Sequence, residues 1–531
     1  MPIVQLDQVA DKTFDYVIIG GGTSGLTVAA RLSEDPNKSI LVLEAGEDHV
    51  DDPNILHTAF YASHFGQDKY DWGFKTIPQK YGGDNVTAWN RGKGLGGSSA
   101  INFACWTKPP KEDIDDWEVL GNAGWNWNEL EKYYEKASTF IPSKLSEQEL
   151  FKRGDSYKKL WASGFGNGPI KVSHPATLPD IDLKVAETYR RLGIEPSKNP
   201  SNGDTSGMYL GPNTLDPAKN HRSYAANEYF YPNKDRPNLT VLLTAYATKI
   251  ITTDPSKDGL VTATAVEFAH GKLENFHRKY LVRAKKEVIL AAGALKSPQL
   301  LELSGIGRRD VLRKIGVPLK VDLDGVGENV QEHLYTGITF ELDENEPDET
   351  FDLLRDEIQA TRHKELFAQG KGVLTMGFTT FVFKPLDDLS ERAPEIFDKE
   401  RAYVKQLKEE GKTNKTLDDQ FERHLDRLDR KGPACEFIVF PGFLSFPNPP
   451  RPGKRYMSWV LATNHLFSRG TIHCTSNDPK THPEYDPHYW EHDIDLKTFI
   501  DMVHWVRKVA NSEPLRSKLG RVDTSLEARS G

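Results

Sequence analysis

Gly20, Gly22 and Gly25 form a GxGxxG spacing, the first feature of the chain that could do chemistry. The preceding run, FDYVIIG, is β-branched and aromatic, which is typical of a buried parallel strand. The following run, GLTVAARLSED, places its apolar residues on one face of a helix. Glycines at such a strand-to-helix turn let the backbone approach a diphosphate, which then faces the helix N-terminus. The pattern therefore predicts a dinucleotide-binding site.

Glu44 ends the next apolar run, SILVLEAG, 19 residues after Gly25. A carboxylate at this position of a dinucleotide-binding fold accepts hydrogen bonds from ribose hydroxyls and repels a 2′-phosphate. The sequence therefore disfavours NADP. This motif alone leaves FAD and NAD as alternatives.

A second glycine-dense stretch is RGKGLGGSSAINFACWTKPPKEDIDDW, residues 91–117, with glycines at positions 92, 94, 96 and 97. Such a loop exposes several backbone N–H groups, which can bind phosphate or the polar edge of a flavin ring. A flexible surface loop has the same local composition. Composition alone does not separate these two interpretations.

Size and composition narrow the class of protein. A chain of 531 residues exceeds the usual size of one hydrophobic core, so we expect two domains. The net charge of −9, without a dense Lys/Arg block, argues against nucleic acid or an anionic membrane as partner. Cys105, Cys435 and Cys474 lack C-x-x-C spacing, which predicts neither a disulfide framework nor a metal site. With no signal peptide or apolar span visible, we expect a cytoplasmic protein.

Four stretches resemble segments of the glucose-methanol-choline (GMC) oxidoreductases, flavoenzymes that oxidise alcohols. The stretch 91–117 resembles their first signature, and GALKSPQLLELSGIG, residues 293–307, resembles their second. DGVGENVQEHL (324–334) and SRGTIHCTSNDPKTHPEYDPHYW (468–490) are similar to further segments typical of the family. GGSSAINFACWTKP followed by WEVLGNAGWNW is most similar to the glucose-oxidase-like and aryl-alcohol-oxidase-like branch.

The resemblance implies that the dinucleotide is FAD. It assigns Thr23 and Ser24 to the pyrophosphate, Glu44 to the ribose, the backbone of Ala247 to adenine, and the segment from Ser98 to the flavin end. The predicted cofactor-binding residues are Gly20, Gly22, Thr23, Ser24, Gly25, Glu44, Arg91, Gly96, Gly97, Ser98, Asn102, Phe103, Ala104, Cys105, Ala247, Ala292 and Gly293.

Two residues near the implied flavin end carry separate expectations. Ile101 occupies the position where choline-oxidase-like members carry a histidine that bonds covalently to the flavin, and isoleucine cannot form that bond. We therefore expect non-covalent FAD. Cys105 is either a small buried filler or a redox-active thiol.

The implied fold class is α/β with an α+β second domain. A Rossmann-like FAD-binding domain would comprise residues 1–165, 236–335 and 478–531, and a substrate-binding domain on an antiparallel sheet would comprise 166–235 and 336–477. Residues 385–431 carry both charge signs at helical spacing, which predicts solvated amphipathic helices or, alternatively, a partner-binding face.

The catalytic residues are not predicted. Oxidation of an alcohol by a flavin needs a base for the hydroxyl proton. The family base is a histidine in an HP-x-GT-x-x-M-like C-terminal segment, which we do not find, so we expect the C-terminal catalytic segment to be lacking and the activity to be uncertain. His465, His473, His482 and His488 are interpreted as structural. Phe443 or Phe446 is a candidate for substrate contact beside ordinary loop packing.

The resemblance implies an FAD-dependent oxidoreductase that oxidises a CH–OH group of an alcohol or sugar by hydride transfer to flavin N5. Oxygen or a quinone would be the electron acceptor. The alternatives are a non-catalytic FAD-binding protein and a cyanohydrin lyase on the same fold. An NAD-dependent dehydrogenase is what the N-terminal motif alone would also allow. The particular alcohol and the oligomeric state are not predicted.

Overall fold

A six-stranded sheet organises the first part of the fold. The computed structural model describes residues 3–142, 145–152, 165–271, 276–445 and 449–520. The sheet strands are β1 (Thr13–Ile19), β2 (Ile40–Leu43), β10 (Leu239–Leu242), β11 (Ala245–Thr252), β12 (Ala263–His270) and β13 (Lys279–Leu290). Their order is β10-β2-β1-β13-β12-β11. In this order, β10, β2, β1 and β13 are parallel to one another. Strand β12 is antiparallel to both of its neighbours, β13 and β11.

Both faces of this sheet are buried, which explains the near-continuous apolar runs of its strands. Side chains alternate between faces along a strand. The hydrophobic cluster on one face contains Val17, Ile19, Leu41 and Leu43. The hydrophobic cluster on the other face contains Ile18, Ile40 and Val42. Helix α1 (Thr23–Leu32) contributes Leu26, Ala29 and Ala30 to the second cluster.

A five-stranded antiparallel sheet organises the second part. Its strands are β7 (Gly207–Leu210), β16 (Leu334–Glu341), β17 (Thr380–Lys384), β18 (Cys435–Phe440) and β19 (Tyr456–Thr463). Their order is β16-β19-β18-β17-β7. One face packs on helix α12 (Asp493–Ala510), where the Phe437 and Trp505 rings lie 4.5 Å apart between centroids. The other face packs against Phe103, Cys105 and Trp106, so it is turned toward the second glycine-dense stretch, residues 91–117.

The remaining elements are shorter or peripheral. The other helices are α2 (Pro53–Leu56), α3 (Lys111–Val119), α4 (Trp127–Ala137), α5 (Glu147–Lys152), α6 (Ile181–Arg191), α7 (Ser297–Leu303), α8 (Arg309–Lys314), α9 (Glu357–Ala368), α10 (Ala393–Glu409) and α11 (Lys415–Asp429). The other strands are β3 (Phe74–Lys75), β4 (Ala88–Trp89), β5 (Ser138–Phe140), β6 (Ile170–Val172), β8 (Leu215–Asp216), β9 (His221–Arg222), β14 (Ile306–Gly307), β15 (Val321–Asp322), β20 (Thr471–His473) and β21 (Glu484–Asp486). No helix within these described ranges is long and apolar enough to cross a membrane.

The predicted fold class is confirmed, including the parallel nucleotide-binding sheet and the separate antiparallel sheet. Two amphipathic helices, α10 and α11, lie where mixed charge at helical spacing predicted them. The apolar run VLLTAYATKI, residues 241–250, divides between β10 and β11 because Thr244 adopts a φ of 49° and its N–H donates to Gly46 O. The predicted domain boundaries remain a prediction.

Candidate cofactor and active site

The turn between β1 and α1 leaves the start of α1 open. Gly20 has a φ of 104°, and a Cβ there would lie 2.4 Å from Ala291 O, so only glycine fits. Gly22 is the N-cap of α1 and supplies no side-chain cap. Thr23 and Ser24 follow it and are exposed. The free N–H groups and the helix dipole therefore favour an anion at this point.

The second glycine-rich loop lies directly on the first. Gly96 N donates to Gly21 O at 2.8 Å. A Cβ on Gly97, whose φ is 55°, would lie 2.7 Å from the Gly22 Cα. The Ser98 hydroxyl accepts from Gly92 N at 3.0 Å, which closes the loop on itself. Two stretches that are far apart in sequence thus form one wall of backbone.

Glu44 joins three turns of this wall. Its Oε2 accepts from Gly21 N at 2.7 Å, and its Oε1 accepts from Gly46 N at 2.7 Å and Gly94 N at 3.2 Å. Burial raises the pKa of the Glu44 carboxyl, and these backbone donors partly offset the effect. Glu44 therefore orders the loops in addition to facing the cavity that they enclose.

That cavity has a volume of about 590 Å³, within the usual size of a small-molecule site. Eleven of the predicted residues line it: Gly20, Gly22, Thr23, Ser24, Glu44, Arg91, Gly97, Ser98, Ala247, Ala292 and Gly293. Gly25, in the first turn of α1, and Gly96, in the second glycine-rich loop, do not line the cavity. Asn102, Phe103, Ala104 and Cys105 do not line the cavity and instead continue from Ser98 toward the five-stranded sheet.

The segment after Ser98 is held by a buried arginine that the sequence analysis missed. Arg222 Nη1 donates to Asn102 Oδ1 at 2.6 Å, and its Nε donates to Ile55 O at 3.0 Å. Burial lowers the pKa of Arg222 to about 10, which leaves it charged at neutral pH. The Cys105 side chain is half-buried. Desolvation raises the pKa of its thiol, which favours an unreactive thiol over a redox-active one.

Lys296, in the predicted second signature, was also missed as a site residue. It lines the far end of the cavity with its Nζ between the rings of Trp72, Phe74 and Tyr246, at 5.3, 5.7 and 5.2 Å from their centroids. Its Nζ donates to Tyr246 Oη at 2.6 Å and Gln299 Oε1 at 2.8 Å. Burial lowers the pKa of Lys296 to about 8. An isolated lysine in the sequence carries no signal of this environment.

A charged cluster borders the Arg91 end of the cavity. Arg91 Nη2 lies 2.7 Å from Glu332 Oε2, and Glu332 Oε1 lies 3.3 Å from His333 Nδ1. The hydrogen bond to Glu332 raises the pKa of His333. The stretch DGVGENVQEHL resembles a family segment, but the sequence alone does not indicate this pairing of its Glu332 and His333 with Arg91.

The other histidines are engaged in packing or ion pairs. His473 lies between Glu302 and Glu328, and His465 contacts Asp113 at 2.9 Å. His488 lies 3.1 Å from Glu491, and the His482 ring packs on Phe74. These contacts agree with the structural interpretation. Phe443 packs on Tyr456, whereas Phe446 lies outside the described residues.

The parallel sheet, the open helix start and the facing cavity define a dinucleotide-binding protein built on two sheets. Residues 14–335 match the family model for GMC oxidoreductase, and residues 467–529 match the C-terminal GMC oxidoreductase model. The chain belongs to the GMC oxidoreductase family, whose members are FAD-dependent. The second match corrects the expectation that the C-terminal family segment is lacking, since residues 467–529 represent that domain.

Known relatives extend over nearly the whole chain. A dehydrogenase of Monascus purpureus, mpl7, is 31% identical over 98% of this chain and 84% of its own length. A glucose oxidase of Aspergillus carbonarius is 31% identical over 96% of this chain and 77% of its own length. An FAD-dependent oxidoreductase from Chaetomium thermophilum has the same fold, with a TM-score of 0.84 at 24% identity over 96% of this chain and 84% of that one.

Proposed function

We propose that this protein binds FAD in the glycine-lined cavity and oxidises the CH–OH group of an apolar or aromatic alcohol. The observation that carries the proposal is the wall of two touching glycine loops beside the uncapped start of α1, facing a cavity of about 590 Å³. Backbone donors and a helix N-terminus suit the diphosphate that links the halves of a dinucleotide. FAD, when bound, supplies the hydride acceptor for the alcohol.

The roles of the chain's own residues follow from their positions. The N–H groups at Thr23 and Ser24 would bind the diphosphate, and Glu44, which holds the loops, would accept from the ribose. Ala247, Ala292 and Gly293 line the part of the cavity that would take the adenosine half. Ser98 and the segment to Cys105 support the flavin end, with Arg222 keeping Asn102 in place.

The aromatic cluster between the segment that follows Ser98 and the five-stranded sheet favours an apolar alcohol over a sugar as substrate. The rings of Phe103 and Phe378 lie 5.4 Å apart between centroids, and those of Phe378 and Phe440 lie 4.8 Å apart. Tyr61 and Phe351 extend this aromatic wall. A polyhydroxylated sugar needs many hydrogen-bond partners, which aromatic rings do not offer, whereas an aryl or unsaturated alcohol packs on them.

The proposal is tested on purified protein. We expect a yellow protein whose colour moves to the supernatant when the protein is precipitated in acid, because Ile101 cannot bond to the flavin. Under anaerobic conditions benzyl alcohol should bleach the flavin faster than glucose does. Rapid return of colour with oxygen would identify an oxidase, and slow return with oxygen but rapid return with a quinone would identify a dehydrogenase.

Other outcomes would replace the proposal. Colourless protein that stays colourless after incubation with FAD contradicts cofactor binding. A yellow protein that no alcohol reduces supports a non-catalytic flavin protein, and release of cyanide from a cyanohydrin without any acceptor supports a lyase.

A further inference from the structure

Lys296 carries a buried charge that neither the binding of the diphosphate nor the oxidation of an alcohol explains. The residue is 8% exposed, directly precedes α7 and lines the same cavity as Ala247 and Gly293. Among the described residues no carboxylate forms an ion pair with it. A buried ammonium group without a counter-charge costs stability, so its position in the wall of a ligand cavity points to a function.

Two polar side chains fix the position of the ammonium group. Lys296 Nζ donates to Tyr246 Oη at 2.6 Å and to Gln299 Oε1 at 2.8 Å. Both partners are anchored in turn. Tyr246 Oη donates to Pro479 O at 2.8 Å, and Gln299 Nε2 donates to Thr481 O at 2.7 Å. The ammonium group is therefore held in place by the fold itself, before a ligand enters.

One N–H donor of this group is left for a ligand. An ammonium group donates three hydrogen bonds, and Tyr246 and Gln299 accept two of them. Within the described part of the chain no other acceptor lies at hydrogen-bond distance from Lys296 Nζ. Burial lowers the pKa of Lys296 only to about 8, so most molecules keep all three donors at pH 7.

The surroundings of this donor suit a heteroaromatic base better than a phosphate group. The rings of Trp72, Phe74 and Tyr246 lie around Nζ, and a flat base packs on such rings. Adenine carries ring nitrogens that accept hydrogen bonds. Tyr246 also directly precedes Ala247, whose backbone is assigned to adenine. The start of α1, in contrast, offers the backbone donors that a diphosphate needs.

We propose that Lys296 recognises the base of the dinucleotide by donating a hydrogen bond from Nζ to a ring nitrogen of adenine. This role rests on the proposed function, which places FAD in the cavity. Lys296 is then a specificity residue for the cofactor, because its contact depends on the base and not on the diphosphate. A ligand that has the diphosphate but no base gains nothing from Lys296.

The test measures how two probes, ADP and inorganic pyrophosphate, bind to the full-length protein freed of its FAD. Both probes carry a diphosphate, but only ADP carries the base. We expect Lys296→Met to weaken ADP binding by about tenfold or more, the effect of losing one hydrogen bond to a charged group. Pyrophosphate binding should be unchanged. Isothermal titration calorimetry at pH 7 measures both affinities.

Lys108 offers a matched control. Its Nζ also lies among three aromatic rings, at 5.9, 5.8 and 5.4 Å from the centroids of Trp127, Tyr134 and Phe165. Burial lowers the pKa of Lys108 as well. It does not line the cofactor cavity. Lys108→Met should therefore bind ADP and pyrophosphate as the wild type does.

Two results would overturn the role of Lys296. Unchanged ADP binding in Lys296→Met would show that the base does not use this donor. Equal losses of ADP and pyrophosphate binding would show that the charge attracts the diphosphate instead. Tyr246→Phe removes the hydroxyl that positions Nζ, so it should weaken ADP binding to a smaller extent and leave pyrophosphate binding unchanged. It serves as the second variant if the methionine variant does not fold.

Failure of this role is distinguishable from failure of the proposed function. If the wild type binds neither FAD nor ADP, the cofactor site is wrong and the proposed function fails. If the wild type binds both, and Lys296→Met binds ADP with the same affinity, only the role of Lys296 is overturned.

Discussion

At the residue scale, the contact between Gly97 and Gly22 decides whether the two loops can form one wall. A methyl group on Gly97 would lie 2.7 Å from the Gly22 Cα. Its three nearest atoms are all backbone atoms of Gly22 and Thr23, so there is no side chain that could move away. Close approach of this kind, more than flexibility, explains the glycine. The same argument makes the position testable with a single methyl group.

We expect Gly97→Ala to lose most of its FAD, since the loops must separate to admit the methyl group. The control is Gly411→Ala, because Gly411 has a similar φ of 66° but open space around its Cβ. It should cost only the strain of the left-handed conformation, about 1 kcal/mol, and keep its FAD. The ratio of flavin to protein after purification measures both. Equal FAD content in the two variants would show that close packing does not matter here.

The buried environment of Lys296 also leads to a testable prediction, because burial lowers the pKa of its ammonium group. Burial lowers its pKa from 10.5 to about 8, so the unfolded chain binds the proton more tightly than the fold does. The charge therefore costs stability below pH 8, and this cost is relieved as the pH rises from 8 to 10.5. With about 1.4 kcal/mol for each pKa unit, the cost is about 3 kcal/mol at pH 7.

Lys296→Met should consequently stabilise the apoprotein by ~1–3 kcal/mol at pH 7, since the loss of hydrogen bonds to Tyr246 and Gln299 offsets part of the gain. The gain should diminish between pH 8 and pH 10. Urea unfolding at several pH values measures it. A gain that is the same at pH 7 and pH 10 would contradict the assigned cause.

At the element scale, His473 of β20 ties α7 to the loop before β16. His473 Nδ1 lies 2.6 Å from Glu302 Oε1 of α7, and its Nε2 lies 3.0 Å from Glu328 Oε1. Burial alone would lower the pKa of His473, but these two carboxylates outweigh it and raise the pKa to about 9. The second family signature is thereby joined to the C-terminal matched segment by a charged histidine.

We expect His473→Gln to destabilise the protein by ~2–3 kcal/mol at pH 6 and by much less at pH 9.5. The sign follows from linkage: a histidine whose pKa is raised on folding contributes fully below pH 6.5, and its contribution is lost as the pH rises to about 9. Thermal unfolding at the two pH values measures the effect. His504→Gln is the control, because His504 lies on α12 and has none of these carboxylate contacts among the described residues. A pH-independent loss in His473→Gln would argue for packing alone.

At the scale of the whole molecule, the cavity lies where the parallel sheet, the two glycine loops and the second signature meet. A cofactor that binds only the folded state stabilises it by about 2.7 kcal/mol when its concentration is a hundred times its dissociation constant. The effect should be unequal along the chain. The two loops are joined to each other through the Gly96–Gly21 hydrogen bond and the Gly97–Gly22 contact. In contrast, β17, β18 and β19 are held by the core around Trp459 and Phe437.

We therefore expect removal of FAD to lower the melting temperature and to increase hydrogen exchange most at residues 20–25 and 91–105. Exchange in β17, β18 and β19 should change least. Mass spectrometry of apoprotein and FAD-loaded protein, compared at the same pH, measures the difference. A uniform change over the whole chain would mean that the cofactor acts on global stability and does not order these loops in particular.

Much of the fold was predictable from the sequence because it depends on local order. Continuous apolar runs predicted β1 and β2, and helical spacing predicted α1, α10 and α11. The glycine spacing and Glu44 predicted a dinucleotide site because the neighbouring strand and helix are contiguous in the chain. The division of VLLTAYATKI into two strands was not predictable, since it depends on a hydrogen bond from Thr244 to the distant Gly46.

The sequence by itself determined the family, the cofactor class and most of the residues around the glycine loops, because these are carried by motifs of adjacent residues. Only the tertiary structure decided which distant residues contact one another: Gly97 and Gly22, Lys296 and three aromatic rings, and Arg222 and Asn102. The physical reason is that burial and charge depend on the neighbours that packing supplies. The sequence does not distinguish an exposed lysine or glutamate from one in an apolar cluster, although the pKa and the reactivity of the side chain differ between the two environments.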